Sequence, residues 1–323
     1  MSSAVRQGLL RMAALVLLAA LTWRMIGPGP VMAHLQRLNL GTVLLMIAVN
    51  AFVLAASTVR WHGIAALAGG TAPRSLFFRA TWFSWGAAEF GPSLLAAESA
   101  RFLSLRGYLR PAVLSLSQLA DRVSGIVGLA LLNLLCLPRQ LRLLEGFGAA
   151  GSLAVVASAL LAVGLVLIVA RRSTGRVGGS HVAELRRLLA DPVHYLWSLS
   201  INAAFALNIA LACGAIGRDL PFMDLFSLAP LLLLGVASLP GLVSDWGKRE
   251  GLAVAVFVSV GLSPADSIAL SVLFGAVHTV TALPGLWFGL PDLDRRCRAP
   301  LRGGGSSGGG KKNELNESAR KRR

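Results

Sequence analysis

Residues 77–101 read FFRATWFSWGAAEFGPSLLAAESAR. The stretch is apolar enough to enter a bilayer, yet Arg79, Gly86, Glu89 and the Gly91-Pro92 pair interrupt it before it supplies the ~20 mostly apolar residues of a spanning helix. Residues 239–262 are interrupted in the same way by Pro240, Gly241, Asp245, Gly247, Lys248, Arg249 and Glu250. Past Glu250 the apolar run is worth about 18 Å of helix at ~1.5 Å per residue, too short to cross alone. Both stretches share an order: a Pro-Gly break, then an acid and an arginine (Glu98 and Arg101; Arg249 and Glu250), then a glycine (Gly107; Gly261), then a long apolar helix. Two interrupted segments at corresponding places in two halves point to a binding site. Broken helices free backbone N–H groups and helix N-termini where no water competes for them. The expected breaks are Gly91, Pro92, Pro240, Gly241 and Gly247; the alternative is that these residues only shape turns at the membrane interface.

The rest of the chain sets these breaks in a membrane. Of 323 residues, 55% are hydrophobic and 14% charged, with a mean hydropathy of +0.66, which excludes a water-soluble enzyme. Seven uninterrupted runs have spanning length: Leu9 to Ile26, Thr42 to Val59, Ala112 to Leu137, Gly151 to Ala170, Val193 to Gly217, Phe222 to Leu239 and Ser267 to Leu290. The first is long and leads to no small-residue cleavage site, so it reads as a span and not as a signal peptide. Arg60-Trp61, at the end of the second, reads as a cation and aromatic at the interface. The expected fold is an all-α polytopic membrane protein of about eight transmembrane helices, with two broken or re-entrant segments in two weakly similar halves. In this scheme the Phe77 stretch is re-entrant and the Pro240 stretch crosses as a broken helix.

Lys and Arg number 31 against 15 Asp and Glu, a net charge of +16. The scheme leaves only Arg24, Arg37, Arg139, Arg142 and Arg218 on the outer side and Arg122 within a helix. The charge is thus mainly a topology signal placing both termini in the cytoplasm, and nucleic acid is not an expected partner. The transmembrane domain is expected over residues 1–298, with halves of about 1–172 and 192–298 and a cytoplasmic linker at 173–191. Within that linker, His181 to Asp191 has the spacing of a short amphipathic helix, and residues 299–323 read as a disordered basic tail. Cys136, Cys213 and Cys297 are scattered, with neither disulfide nor metal-ligand spacing, so no metal and no cofactor are expected.

Ionisable residues at membrane depth are costly, and each is a functional candidate by default. Asp121 and Arg122 lie about ten residues inside their span and point about 100° apart on a helix, so each needs a partner elsewhere. One arrangement pairs Asp121 with Arg101 or Arg249 and Arg122 with Glu98 or Glu250. In the functional reading Arg101, Arg122 and Arg249 bind a lipid phosphate while Glu98, Asp121 and Glu250 orient them; in the structural reading they are buried ion pairs that set helix register. Glu89 reads either as a proton-coupling carboxylate or as an interface residue reaching to water, and its flanking Trp82, Trp85 and Phe90 favour the interface. His278 titrates near neutral pH or hydrogen-bonds a neighbouring helix. Asn50, Asn133, Asn202 and Asn208 read as interhelical hydrogen-bonding groups.

With these residues in place the chain resembles the transmembrane region of lysylphosphatidylglycerol synthases, the flippase-like domain family. The resemblance covers roughly residues 5–298. It rests on Arg60-Trp61, on Pro92 with Glu98 and Arg101, on Asp121-Arg122 with Gly125, and on Pro240 with Gly247, Arg249, Glu250 and Gly251. It departs at Ala96-Ala97 and Ser244-Asp245, where the family carries glycine-containing pairs, and Asp245 adds an acid to the pocket. The resemblance implies a stand-alone membrane domain without the aminoacyl-transferase domain of full-length synthases. It implies a translocase, a flippase or scramblase, of a phospholipid or polyprenyl-phosphate-linked lipid in the cell membrane, with anionic lipids as partners. The alternatives are a membrane-embedded lipid-carrier transferase, or an accessory subunit of a lipid or glycan synthase. No catalytic motif favours an enzyme: Asp292-Leu293-Asp294 stands at the basic start of the tail without a companion.

Overall fold

A computed structural model describes residues 38–90, 93–145, 164, 187–238 and 247–288, and among these every regular element is helical. Helix α1 (Leu40–Leu67) starts where Asn39 Oδ1 accepts the Gly41 N–H at 2.8 Å. It continues eight residues past the expected end at Val59, because Trp61 to Leu67 is itself apolar. Helices α2 (Arg74–Phe90) and α3 (Ser93–Leu105) divide the first interrupted stretch, and α4 (Pro111–Leu144) opens on a proline at its first position. Helices α5 (Val193–Ala215), α6 (Phe222–Ser238) and α7 (Lys248–Phe257) follow. Helix α8 (Pro264–Ala282) is capped by Ser263 Oγ, which accepts the Asp266 N–H, and runs on through a 3₁₀ turn to Phe288. Four helices are long and apolar enough to cross a membrane among the described residues: α1, α4, α5 and 264–288. The expected spans Leu9 to Ile26 and Gly151 to Ala170 lie outside them, as do Gly91, Pro92, Pro240, Gly241, Asp245 and residues 299–323.

The contacts fix how the helices run. Asn208 Nδ2 on α5 donates to Asn50 Oδ1 on α1 at 2.9 Å, and Ser198 near the start of α5 meets Arg60 near the end of α1, so the two are antiparallel. Helices α4 and α5 run side by side in one direction, in contact so close that a Cβ at Gly128 would fall on the Ser198 backbone. Between α1 and α4, α2 and α3 fold back along each other and both open onto the end of the bundle where α1 stops. Between α5 and α8, α6 and α7 do the same from the opposite end. Arg139 on α4 pairs with Asp224 at the start of α6, Arg218 after α5 pairs with Asp266 at the start of α8, and Leu252 of α7 lies against Gly235 near the tip. Each half is therefore a long helix, a helical hairpin and a second long helix, and the two halves are inverted relative to each other. Such inverted repeats are the architecture in which paired interrupted segments acquire meaning.

This corrects one expectation. The second interrupted segment does not complete a crossing, since the described α7 returns toward the end from which α6 sets out. Composition alone hides this: the seventeen residues of α6 are as apolar as a true span, but they pack inside the bundle through Leu225, Leu228, Ala229 and Leu232. Of the expected amphipathic helix, residues 187–191 are described, and Leu188 is buried with Ile64, Ala68 and Ala120.

Candidate functional site

The first half gathers a cluster of charges inside the bundle. Asp121, 1% exposed, is held on both oxygens: Arg60 Nε donates to Oδ1 at 2.8 Å and Arg101 Nη1 to Oδ2 at 3.0 Å. Three elements converge here, since Arg60 comes from α1, Arg101 from the α3 arm of the hairpin and Asp121 from α4. Arg60 Nη1 also donates to Ser198 Oγ at 2.9 Å, which in turn lies 2.7 Å from Ser124 Oγ. Arg101 Nε donates to Ser84 Oγ at 3.3 Å, and its guanidinium stands 4.8 Å over the Trp61 ring. On the outer flank, Arg122 pairs with Glu98 at 2.5 Å, and Glu98 lies 3.9 Å from Arg101.

Electrostatics makes this cluster more than a set of ion pairs. Three cations, Arg60, Arg101 and Arg122, face two carboxylates, Asp121 and Glu98, which leaves one unit of positive charge. Arg60 and Arg101, 7% and 6% exposed, share the Asp121 carboxylate, with Glu98 at 3.9 Å the next anion from Arg101. An uncompensated ion in such a place costs several kcal/mol, and an anion that completes the balance recovers it. The Thr81 hydroxyl, on α2 one turn before Ser84, is wholly buried with no hydrogen-bond partner among the described residues. Here the sequence reading needs one correction. Arg60 and Trp61 do not mark an interface: both are buried, because Asp121 draws Arg60 inward and Trp61 donates to Ser117 Oγ while packing edge-on against Phe77. Arg122 lies within α4 as expected, with 41% of its side chain exposed.

Of the predicted site residues, Arg101, Asp121, Glu98 and Arg122 come together, and Arg249 and Glu250 form a cluster of their own. Gly247 takes φ +90° at the N-terminus of α7, and its N–H is accepted by Glu250 Oε2. Glu250 Oε1 accepts from Arg249 Nη2 at 3.0 Å and from Ser271 Oγ at 3.1 Å, and Arg249 lies over Phe274 in the space that Gly275 leaves open. This pair is neutral, and both members are turned on α8 and on each other.

A third group joins the halves. Glu89, at the tip end of α2, accepts from Thr279 Oγ1 at 2.7 Å and lies 3.7 Å from His278 Nε2, with its side chain 13% exposed. Glu89 therefore does not reach to water as the interface reading expected; a hydroxyl and an imidazole on α8 satisfy it. Asn202 donates across to Gly125 O at 3.3 Å, and Asn133 accepts from Gln140, whose amide also reaches Ser227 O on α6. Among the described residues no three His, Cys, Asp or Glu side chains gather as a metal site.

The fold and these sites define a multi-pass helical membrane protein with inverted hairpins and a buried, cation-rich cluster. A family model for the lysylphosphatidylglycerol synthase TM region matches residues 9–285, and the chain belongs to that family. No curated protein matches the chain.

Proposed function

We propose that the protein carries the anionic head group of a lipid between the leaflets of the cell membrane, and that Arg60 and Arg101 are its principal contacts. The observation that carries this reading is the unbalanced positive charge around Asp121 within the bundle. A phosphate supplies the missing negative charge and fits the planar fork of a guanidinium. Arg101 rides on the hairpin, whereas Arg60 and Asp121 belong to the long helices, so a head group held by both arginines spans a moving part and its frame. Asp121 keeps the two guanidiniums apart and oriented, and Glu98 tethers Arg122 at the entrance. Membership of the family supports a lipid-related role. On this reading both termini are cytoplasmic, anionic lipids are the partners, and no covalent chemistry is performed.

The test is reconstitution into vesicles carrying a fluorescent anionic phospholipid, with a membrane-impermeant quencher reporting exposure. The parent protein is expected to move the lipid, and Arg60→Met and Arg101→Met to abolish movement. Arg101→Lys is expected to be impaired because it keeps the charge but loses the fork. Folded parent protein that moves no lipid refutes the proposal.

A further inference from the structure

The described ends of α2 and α7 next to the two hairpin turns dock on neighbouring turns of α8. From one end comes Arg249, over Phe274 and Gly275; from the other comes Glu89, against His278 and Thr279. Three to four residues separate the two contacts, about 5–6 Å along the helix axis. Helix α2 lies antiparallel to the rest of α8. Trp82 Nε1 donates to Thr281 O at 2.8 Å, Gly86 meets Leu286, and Gly285 is pressed against the Trp82 backbone. Most of this seam is apolar or uses backbone groups, which do not respond to conditions. Its inner end, at Glu89, joins a carboxylate to an imidazole.

We propose that Glu89 and His278 bind a proton between them and form a latch that fastens the α2–α3 hairpin to α8 when protonated and releases it when not. The oxygen-to-nitrogen separation of 3.7 Å is too long for a hydrogen bond but within ion-pair range, so the contact draws its strength from charge on the imidazole. Trp85 lies 4.8 Å from the His278 ring at a tilt of 37°, placing an aromatic π system beside the developing imidazolium. Phe205 of α5 stands on another side at 6.2 Å, and Val49 and Val53 of α1 pack with Trp85. Charged groups on the surrounding elements are Arg249 and Glu250 on α7 against α8, Glu98 and Arg101 on α3 against α2, and Arg60 on α1. The pair is mostly enclosed, with 13% of the Glu89 and 23% of the His278 side chain exposed. Loss of the proton leaves a carboxylate facing a neutral ring, and the attraction between the two charges is gone while the Thr279 hydrogen bond stays. Because α3 carries Arg101, freeing the tip frees one of the two arginines of the anion cluster. The site thus takes protons as its ligand and makes hairpin movement depend on them; only the transport arm of its test rests on the translocase reading.

Spin labels at the exposed positions Leu95 on α3 and Val280 on α8, in a variant with Cys136, Cys213 and Cys297 replaced by alanine, report the hairpin-to-α8 distance in lipid nanodiscs. Between about pH 5 and about pH 8 the distance distribution is expected to move to longer separations. Glu89→Gln and His278→Gln, which keep the shapes, are expected to lose that response, whereas Thr279→Val weakens the contact and keeps it. A parent distribution that does not change with pH, or a response retained in both Gln variants, overturns the proposal. In vesicles, lipid movement by the parent is expected to depend on an imposed pH difference and movement by His278→Gln to lose that dependence. Parent movement indifferent to the pH difference overturns the latch and leaves the translocase reading standing. Distances that titrate in a protein moving no lipid uphold the latch and remove the translocase reading.

Discussion

Asp121 serves two arginines and each arginine serves one aspartate, so the two sides of the cluster cannot be exchanged energetically. Asp121→Asn removes the shared carboxylate from contacts of 2.8 and 3.0 Å and leaves Arg60 and Arg101 facing each other across a neutral amide. At an effective dielectric of about 20, charges about 4 Å apart interact by about 4 kcal/mol, so two attractions of that gross size vanish while the repulsion stays. Breaking a buried pair costs about 3–5 kcal/mol net, and this change belongs at the upper end. Arg60→Met removes one attraction and that same repulsion, and it leaves Asp121 matched one-to-one with Arg101. Ser198, which loses its partner, keeps Ser124 and the His194 carbonyl. Its cost is expected at about 1–2 kcal/mol, the lost packing and the two charged hydrogen bonds to Asp121 and Ser198 being offset in part by relief of the Arg60–Arg101 repulsion. Thermal unfolding in detergent, read by loss of the monodisperse peak, ranks the two variants. Added anionic lipid should stabilise Asp121→Asn more than the parent, because the substitution raises the local positive charge, and Arg60→Met less. If Arg60→Met is as damaging as Asp121→Asn, or if anionic lipid acts equally on all three proteins, the charge balance assigned to this cluster is wrong.

Three glycine substitutions give further outcomes. Gly128→Ala drives a methyl into the Ser198 backbone and must separate α4 from α5, at about 1–3 kcal/mol, as a lowered unfolding temperature will show; Gly251→Ala, which meets nothing within 4 Å, should be neutral or stabilising by up to about 1 kcal/mol. Gly275→Ala displaces the Arg249 guanidinium from its ion pair with Glu250, and the same unfolding assay should find it cheaper in an Arg249→Ala background, where the space is empty; equal costs in both backgrounds refute that contact.

The interrupted stretches were legible because Pro, Gly and ionisable residues inside apolar runs are rare and carry a backbone consequence. Arg101 with Asp121 and Arg122 with Glu98 were among the pairings the sequence allowed, and those pairings are found. Arg60 escaped for a physical reason: an arginine and a tryptophan after eighteen apolar residues look alike whether the helix stops at the interface or continues. Only the apolar run through Leu67 distinguishes them, and it is short. The direction of the second hairpin was equally hidden, since a helix returning to the end it left and one crossing to the other have the same hydropathy. Ser84, Ser124 and Ser198 left no signal at all, because a serine in an apolar helix usually satisfies itself on the preceding turn. Ser198 does so on His194 O, while also accepting from Arg60.

The inversion of the halves also shows why the anion cluster occurs in one of them. Helices α4 and α8 both open on a proline at their first position, Pro111 and Pro264, and counting from there sets Asp121 opposite Phe274 and Arg122 opposite Gly275. In α4 those places bring two charges to the arm of the hairpin. In α8 the same places offer a ring face and an empty volume, which Arg249 fills while Glu250 neutralises it. Among the described residues the second hairpin therefore carries an arginine paired one-to-one with a neighbouring glutamate, and the first carries two buried arginines on one aspartate. Under the proposed latch, the hairpin that carries Arg101 is the one whose α2 end touches α8 through Glu89 and His278, so a change in that one contact bears on the arginine cluster and not on the Arg249–Glu250 pair.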